Sequence, residues 1–145
     1  MKPSLCISLS LVLLAPACFA ALGQRLETTG KVQRALALKP ATQSAFSVQA
    51  SVDEAGRQIR QYLAVDGTVF AVAWSGRSQP DLPQLLGDYF PAFRQAQRNN
   101  RSGLNVMRGQ VGTFAIHTYG RMGALQGMAC DLALLPAGVT LDQLK

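Results

Sequence analysis

VFAVAWSGRSQPDLPQLLGDYF, residues 69–90, is the stretch on which the fold of this chain turns. Val69 to Trp74 runs six residues without a polar break, as in a strand covered on both faces. Ser-Gly-Arg-Ser-Gln-Pro then turns the chain, and leucines and aromatics return at helical spacing. Leu82, Leu85, Leu86, Tyr89, Phe90 and Phe93 fall at i, i+3, i+4, i+7, i+8 and i+11, one continuous apolar stripe. Pro80 suits the first helical turn and Asp81 the positive end of the helix dipole. Pro91 removes the bond to the Gly87 carbonyl and predicts a kink or division there. The block reads as the seam between a central strand and the helix that covers it.

Upstream, Phe46, Val48, Ala50 and Val52 alternate with Ser47, Gln49 and Ser51, the period of a half-buried strand. Asp53-Glu54-Ala55-Gly56 is a turn cluster. Ile59, Gln61, Leu63 and Val65 share one face of a second strand, with Arg60 and Tyr62 on the other. Asp66-Gly67 predicts a tight hairpin of type I′ leading into Val69. Downstream, Leu104 to Arg108, Val111 to Tyr119 and Leu125 to Leu135 read as three more strands. Gly109-Gln110 and Gly120 to Gly123 stand at the expected turns, and Pro136-Ala137-Gly138 closes the last strand. The fold class expected is α+β, an antiparallel sheet from two three-stranded meanders flanking one covering helix.

The N-terminal segment reads differently. Lys2 precedes a largely apolar run from Leu5 to Ala15, Pro16 breaks it, and Ala17-Cys18-Phe19-Ala20 supplies small residues for a peptidase. That is the layout of a secretory signal, too short to span a bilayer comfortably. The expected organisation is a signal peptide over 1–20, an irregular lead-in arm over 21–43 and a single domain over 44–145. The arm has room for one short element around Val32 to Leu38. Cleavage after Ala20 is favoured over a cut after Ala17 or lipidation at Cys18. The expected location is periplasmic or extracellular, with no transmembrane segment once the signal is removed.

The full chain of 145 residues carries 14 basic and 8 acidic residues, net +6. Loss of Lys2 with the signal leaves 13 against 8, net +5. No Lys/Arg run supports nucleic-acid binding. The basic balance suits an anionic envelope polymer or lipid head groups. Of the three cysteines, Cys6 and Cys18 leave with the signal, so Cys130 has no internal disulfide partner and the domain rests on its hydrophobic core.

No convergent set of titratable residues marks a catalytic, cofactor or metal site. His117, the one histidine, lies in a strand with no carboxylate near it in sequence and reads as structural. Paired with Cys130 it has the chemistry of a nucleophile and its base, but no local signature surrounds either. Asp131 is the other partner considered for His117. The glycines lack the strand–loop–helix setting that cradles phosphate and read as turns, bulges and close approaches. Trp74, Tyr89, Phe90 and Phe93 read as core. The loop Ser75 to Gln79 is the better contact surface, with Ser75, Arg77 and Gln79 as candidate partner contacts, because loops at the ends of rigid elements carry much of function. Arg25, Lys31, Arg34 and Lys39 on the arm read as solvated, with an electrostatic tether as the alternative.

Ile59-Arg60-Gln61-Tyr62, Gly67 to Gly76, Pro80-Asp81-Leu82, Leu85 to Phe90 and Leu135 to Val139 together resemble a proteobacterial family of short exported proteins, a domain of unknown function. The Ala21-Leu22-Gly23 start resembles that family's mature N-terminus. Gln61 stands where the family pattern has Glu, Arg77 where it has Pro, Arg121 where it has His and Gly123 where it has Arg. The resemblance implies no known activity or cofactor. The function expected is non-catalytic binding of a cell-envelope protein or anionic polymer. The alternatives are an exported enzyme using His117 with Cys130 or Asp131, and an accessory factor in surface-structure assembly.

Overall fold

Alternation in the two meanders is matched by six strands in one sheet: β1 (Phe46–Val52), β2 (Gln58–Ala64), β3 (Val69–Gly76), β4 (Val106–Val111), β5 (Phe114–Arg121) and β6 (Ala124–Asp131). A computed structural model of the chain describes residues 20–25, 45–103 and 105–144. The strand order is β1-β2-β3-β6-β5-β4, and every neighbouring pair is antiparallel. Two meanders therefore meet where β3 pairs with β6, and the helical segment lies between them in sequence. The fold is α+β, as the residue pattern predicts.

The helical segment is divided. Asp81 caps α1 (Leu82–Leu86) by accepting from the Gln84 N–H at 3.2 Å, with Pro83 in the first turn where its missing N–H costs nothing. Pro80 thus precedes the cap instead of entering the helix. Gly87, at φ 53° and ψ −122°, ends α1 and leads through a 3₁₀ turn, Gly87–Tyr89, into α2 (Phe90–Arg98). Pro91 sits in the first turn of α2, so the expected division is there and begins at Gly87.

The helices cover one face of the sheet. Leu82, Leu85, Leu86, Phe93 and Ala96 bury themselves against Ile59, Val72, Trp74, Met107, Phe114, Ile116 and Ala129. Each such large side chain removed from water contributes about 1.5–3 kcal/mol before entropy is counted. A bulge between Tyr62 and Leu63 gives β3 one extra residue, which lets Phe70 join Ala71 and Ala73 on the second face. That explains why the central strand is apolar throughout. On the second face, Tyr62, Phe70 and Cys130 pack against Leu135, Val139 and Leu144 of the C-terminal segment. The Tyr62 hydroxyl donates to the Leu144 carbonyl at 2.7 Å and pins the 3₁₀ turn Leu141–Leu144 there.

Three expected boundaries move. Gly109-Gln110 is not a turn but lies within β4, and the β4–β5 turn is at Gly112-Thr113, with Gly112 at φ 60°. Gly109 serves close packing: a Cβ there would stand 2.6 Å from the Cβ of Ala96 on α2. The last strand stops at Asp131, because its carboxylate accepts from the Ala133 N–H at 2.9 Å and turns the chain before Leu135. The β2–β3 hairpin closes at Asp66-Gly67 as read, but the Gly67 N–H returns to the Ala64 carbonyl at 2.9 Å. The loop is therefore one residue longer than a two-residue type I′ turn.

At the start of the expected arm, Ala21 and Leu22 are buried, and Arg25 bridges to Thr68 beside β3. The expected signal up to Phe19 and the remainder of the arm, with its element around Val32 to Leu38, lie outside the described residues. No helix among the described residues is long and apolar enough to cross a membrane.

Candidate functional site

Residues alternate across β4, β5 and β6, and the register sorts them onto two faces. Ala115 faces Cys130 across β5 and β6, His117 faces Met128, and Tyr119 faces Gln126. Arg108 stands opposite His117 and Gln110 opposite Ala115 on β4. The same rows continue through Ala71, Ala73 and Ser75 on β3 to Tyr62, Arg60 and Gln58 on β2. All of these belong to the face away from the helices. The C-terminal segment covers one end of it. Toward the other end Gln58, Tyr119, Arg121 and Gln126 are exposed, as are Arg108 and Gln110 along the β4 edge.

At the covered end this face sinks into a groove of about 570 Å³, walled by Arg108, Gln110, His117, Met128, Leu141 and Asp142 with Cys130 among its lining. The structure thus brings His117 and Cys130 to one groove as diagonal neighbours on adjacent strands, about 7–8 Å apart by sheet geometry. His117 Nε2 accepts from Arg108 Nε at 3.1 Å, and its ring lies 5.3 Å from that of Tyr119. Cys130 is 1% exposed, and burial, with the nearby Asp131 charge, pushes its thiol up to about 11. It is a packed thiol at neutral pH, not a thiolate.

Asp131 is not brought to His117. It lies on the helix side, where the Tyr89 hydroxyl donates to it, 42 residues away in sequence. Burial raises its carboxyl, but donors from Tyr89, the Ala133 N–H and Thr113 outweigh that and hold it below its ordinary value. Burial and the Asp131 carboxylate push the Tyr89 hydroxyl up to about 12. The pair ties α2's entry to the end of β6. Among the described residues, no three His, Cys, Asp or Glu side chains are grouped to hold a metal ion.

The loop after β3 lies at the far end of the same face. Ser75 and Arg77 line a shallow hollow with Gly123, Leu125 and Gln126. Gln79 is used differently: its carbonyl accepts from Arg57, whose Nε also bonds Asp53 at 2.5 Å. Gly76 lies flat on that arginine, 2.6 Å from its Cγ to a Cβ placed there. Arg57 fixes the loop and leaves Arg77 exposed.

Ser75, Arg77, His117 and Cys130 therefore lie along one surface, and Arg60, Arg108 and Arg121 share it. The six strands carry one carboxylate, Asp131, and it points to the other face. Asp142, from the C-terminal turn, is the acidic residue lining the groove. Sequence reading missed Arg60, Arg108, Tyr119, Gln126 and Arg121 as a group. The signal was present as polar residues at alternate positions, Arg108-x-Gln110 and His117-x-Tyr119-x-Arg121.

A family model described as protein of unknown function (DUF2844) matches residues 18–144. The chain belongs to that family. The uncharacterised domain family expected from residues 59–139 is thereby met, and the DUF2844 region holds every residue of the open face. No curated protein and no solved structure matches the chain.

Proposed function

We propose that the domain is a non-catalytic binding module of the cell envelope that holds an anionic polymer on the open face of its sheet. The observation that carries this is the placement of Arg60, Arg108 and Arg121 on that face without a strand carboxylate. Arginine forks suit carboxylate and phosphate groups, and the exposed Tyr119 ring beside His117 offers a flat apolar patch to a sugar ring. Gln58, Gln110 and Gln126 add donors and acceptors for hydroxyls. Ser75 and Arg77 extend the surface past the end of β3. Export follows from the signal-like segment 1–20.

The enzymatic alternative draws on the shared groove of His117 and Cys130. A thiol 1% exposed and held near 11 supplies little nucleophile, so binding is the better supported reading.

The test is affinity electrophoresis of the exported protein through gels containing alginate, an acidic polysaccharide, or neutral dextran. Retardation is expected in alginate alone, weakening as salt rises. The triple variant Arg60→Gln, Arg108→Gln, Arg121→Gln is expected to lose about tenfold in affinity, since each charge-assisted contact at an exposed site contributes a few tenths to about 1 kcal/mol. Equal retardation in dextran, or no change in the variant, contradicts the proposal.

A further inference from the structure

The Ala21–Gln24 segment occupies a fitted slot between β3 and the α1–α2 junction. Leu22 is 2% exposed and Ala21 6%. The Leu22 N–H donates to the Leu85 carbonyl at 3.0 Å and the Gly23 N–H to the Val69 carbonyl at 2.8 Å. In return, the Val69 N–H donates to the Gln24 carbonyl at 3.0 Å. Two glycines make room. A Cβ on Gly87 would stand 2.8 Å from the Ala21 Cβ, and one on Gly23 would stand 2.7 Å from Tyr89.

At the head of the slot sits Gln61, 2% exposed, on the helix side of β2. Its side-chain amide donates to the Ala20 carbonyl, and the Ala21 N–H points at Gln24 Oε1 3.4 Å away. Two side-chain amides, that of buried Gln61 and that of exposed Gln24, thus converge on the peptide unit that joins Ala20 to Ala21. A side-chain amide buried this deeply costs free energy unless bonded, so the site has a definite partner to satisfy.

We propose that this slot is a binding site for the protein's own mature amino terminus. An envelope peptidase hydrolyses the Ala20–Ala21 bond: water adds across it, the carboxylate leaves on Ala20 with the leader, and Ala21 keeps the nitrogen as an α-ammonium. The cut comes before docking, because peptidases act on extended segments and the docked segment has its Leu22 and Gly23 N–H groups engaged. Gln24 Oε1 then accepts from the ammonium. Gln61, which has lost the Ala20 carbonyl, turns its amide by half a rotation and presents Oε1 as a second acceptor. Processing thereby completes the core around Leu22 and leaves the charge held by two amide oxygens.

The test uses the full chain recovered from the periplasm of a bacterial host, as four proteins. One has Gln61 and one Gln61→Glu, and each is also made with Gly-Ser inserted after Ala20, so that two residues precede Ala21 after cleavage. Intact mass is expected to place the first residue of the unextended chains at Ala21; a start at Met1 or Cys18 overturns the proposal. Gln61→Glu is expected to raise the midpoint of thermal unfolding by about 3–5 °C in the unextended chain, where a carboxylate meets the ammonium. In the extended chain the same substitution is expected to lower it, since no ammonium is there. An equal shift in both backgrounds overturns the proposal. Should Gln61→Glu not accumulate, the Gln61 pair alone decides: the unextended chain is expected to melt higher, and equal midpoints overturn the proposal.

Discussion

Trp74 fills the space that Gly127 leaves open. The two are register partners on β3 and β6, and a Cβ at 127 would lie 2.2 Å from the indole Cζ2 and 2.3 Å from Cε2. No relaxation of a six-stranded sheet absorbs such an overlap cheaply. Gly127→Ala is expected to cost about 3 kcal/mol, the upper end for overpacking. Urea unfolding measures it, and Trp74→Leu in the Gly127→Ala background is expected to recover part of the loss. Recovery would show that the indole, not the backbone at 127, sets the requirement for glycine.

Gly109 poses the same question with a different neighbour. Its φ is not in the left-handed region, and the Ala96 methyl of α2 sits where its Cβ would go. Gly109→Ala is expected to cost about 1–3 kcal/mol. Ala96→Gly alone weakens α2 by about 1 kcal/mol. The double variant is expected to be more stable than the sum of the two losses by at least about 1 kcal/mol. Additive losses would mean that Gly109 is required for its backbone and not for helix packing.

Stability should report on the Tyr89–Asp131 pair through pH. The Asp131 carboxyl is held below its unfolded value, so its contribution is present above about pH 4 and is lost as pH falls through the folded value. The Tyr89 hydroxyl is raised to about 12, so its contribution is present below about pH 10 and is lost as pH climbs toward 12. Tyr89→Phe leaves a buried carboxylate short of a donor and is expected to cost about 1–3 kcal/mol at pH 7. That cost should shrink below pH 4 and above pH 10. A pH-independent cost would contradict this account, because Tyr89→Phe keeps the ring stacked on Phe114 at 5.8 Å and removes only the hydroxyl that meets Asp131.

Cys130 offers a check on the non-catalytic reading. With its thiol pushed up to about 11 and buried under the C-terminal segment, it is expected to react with a disulfide reagent at pH 8 only as fast as the domain opens. Denaturant should release the full reaction. A fast native reaction with a pH midpoint near neutrality would instead point to an activated thiol and to His117 as its base.

Much of this fold is legible in the chain because its local signals agree. Phe46 to Val52 alternates cleanly, Asp66-Gly67 marks a hairpin, and the Leu82 to Phe93 stripe has a helical period. The errors arise where one residue type serves two purposes. Glycine marks turns and also close approaches, so Gly109 reads as a turn although α2 lies against it. Leu132 to Leu135 read as strand until the Asp131 side chain is seen to bond the Ala133 N–H and turn the chain. The site was less legible. His117 and Cys130 line one groove because β5 and β6 pair as they do, and no local pattern carries that register. The burial of Leu22 depends on a slot made from β3, α1 and Gly87, elements more than 40 residues downstream.

The most direct test of the proposed binding face is an NMR titration of the isotopically labelled protein with alginate fragments. The amide and side-chain signals of Arg108, His117, Tyr119 and Gln126 are expected to shift together and to saturate, while those of Leu85, Phe93 and Ala96 on the helix side stay in place. Shifts confined to the helix side, or spread evenly over both faces, would contradict the account.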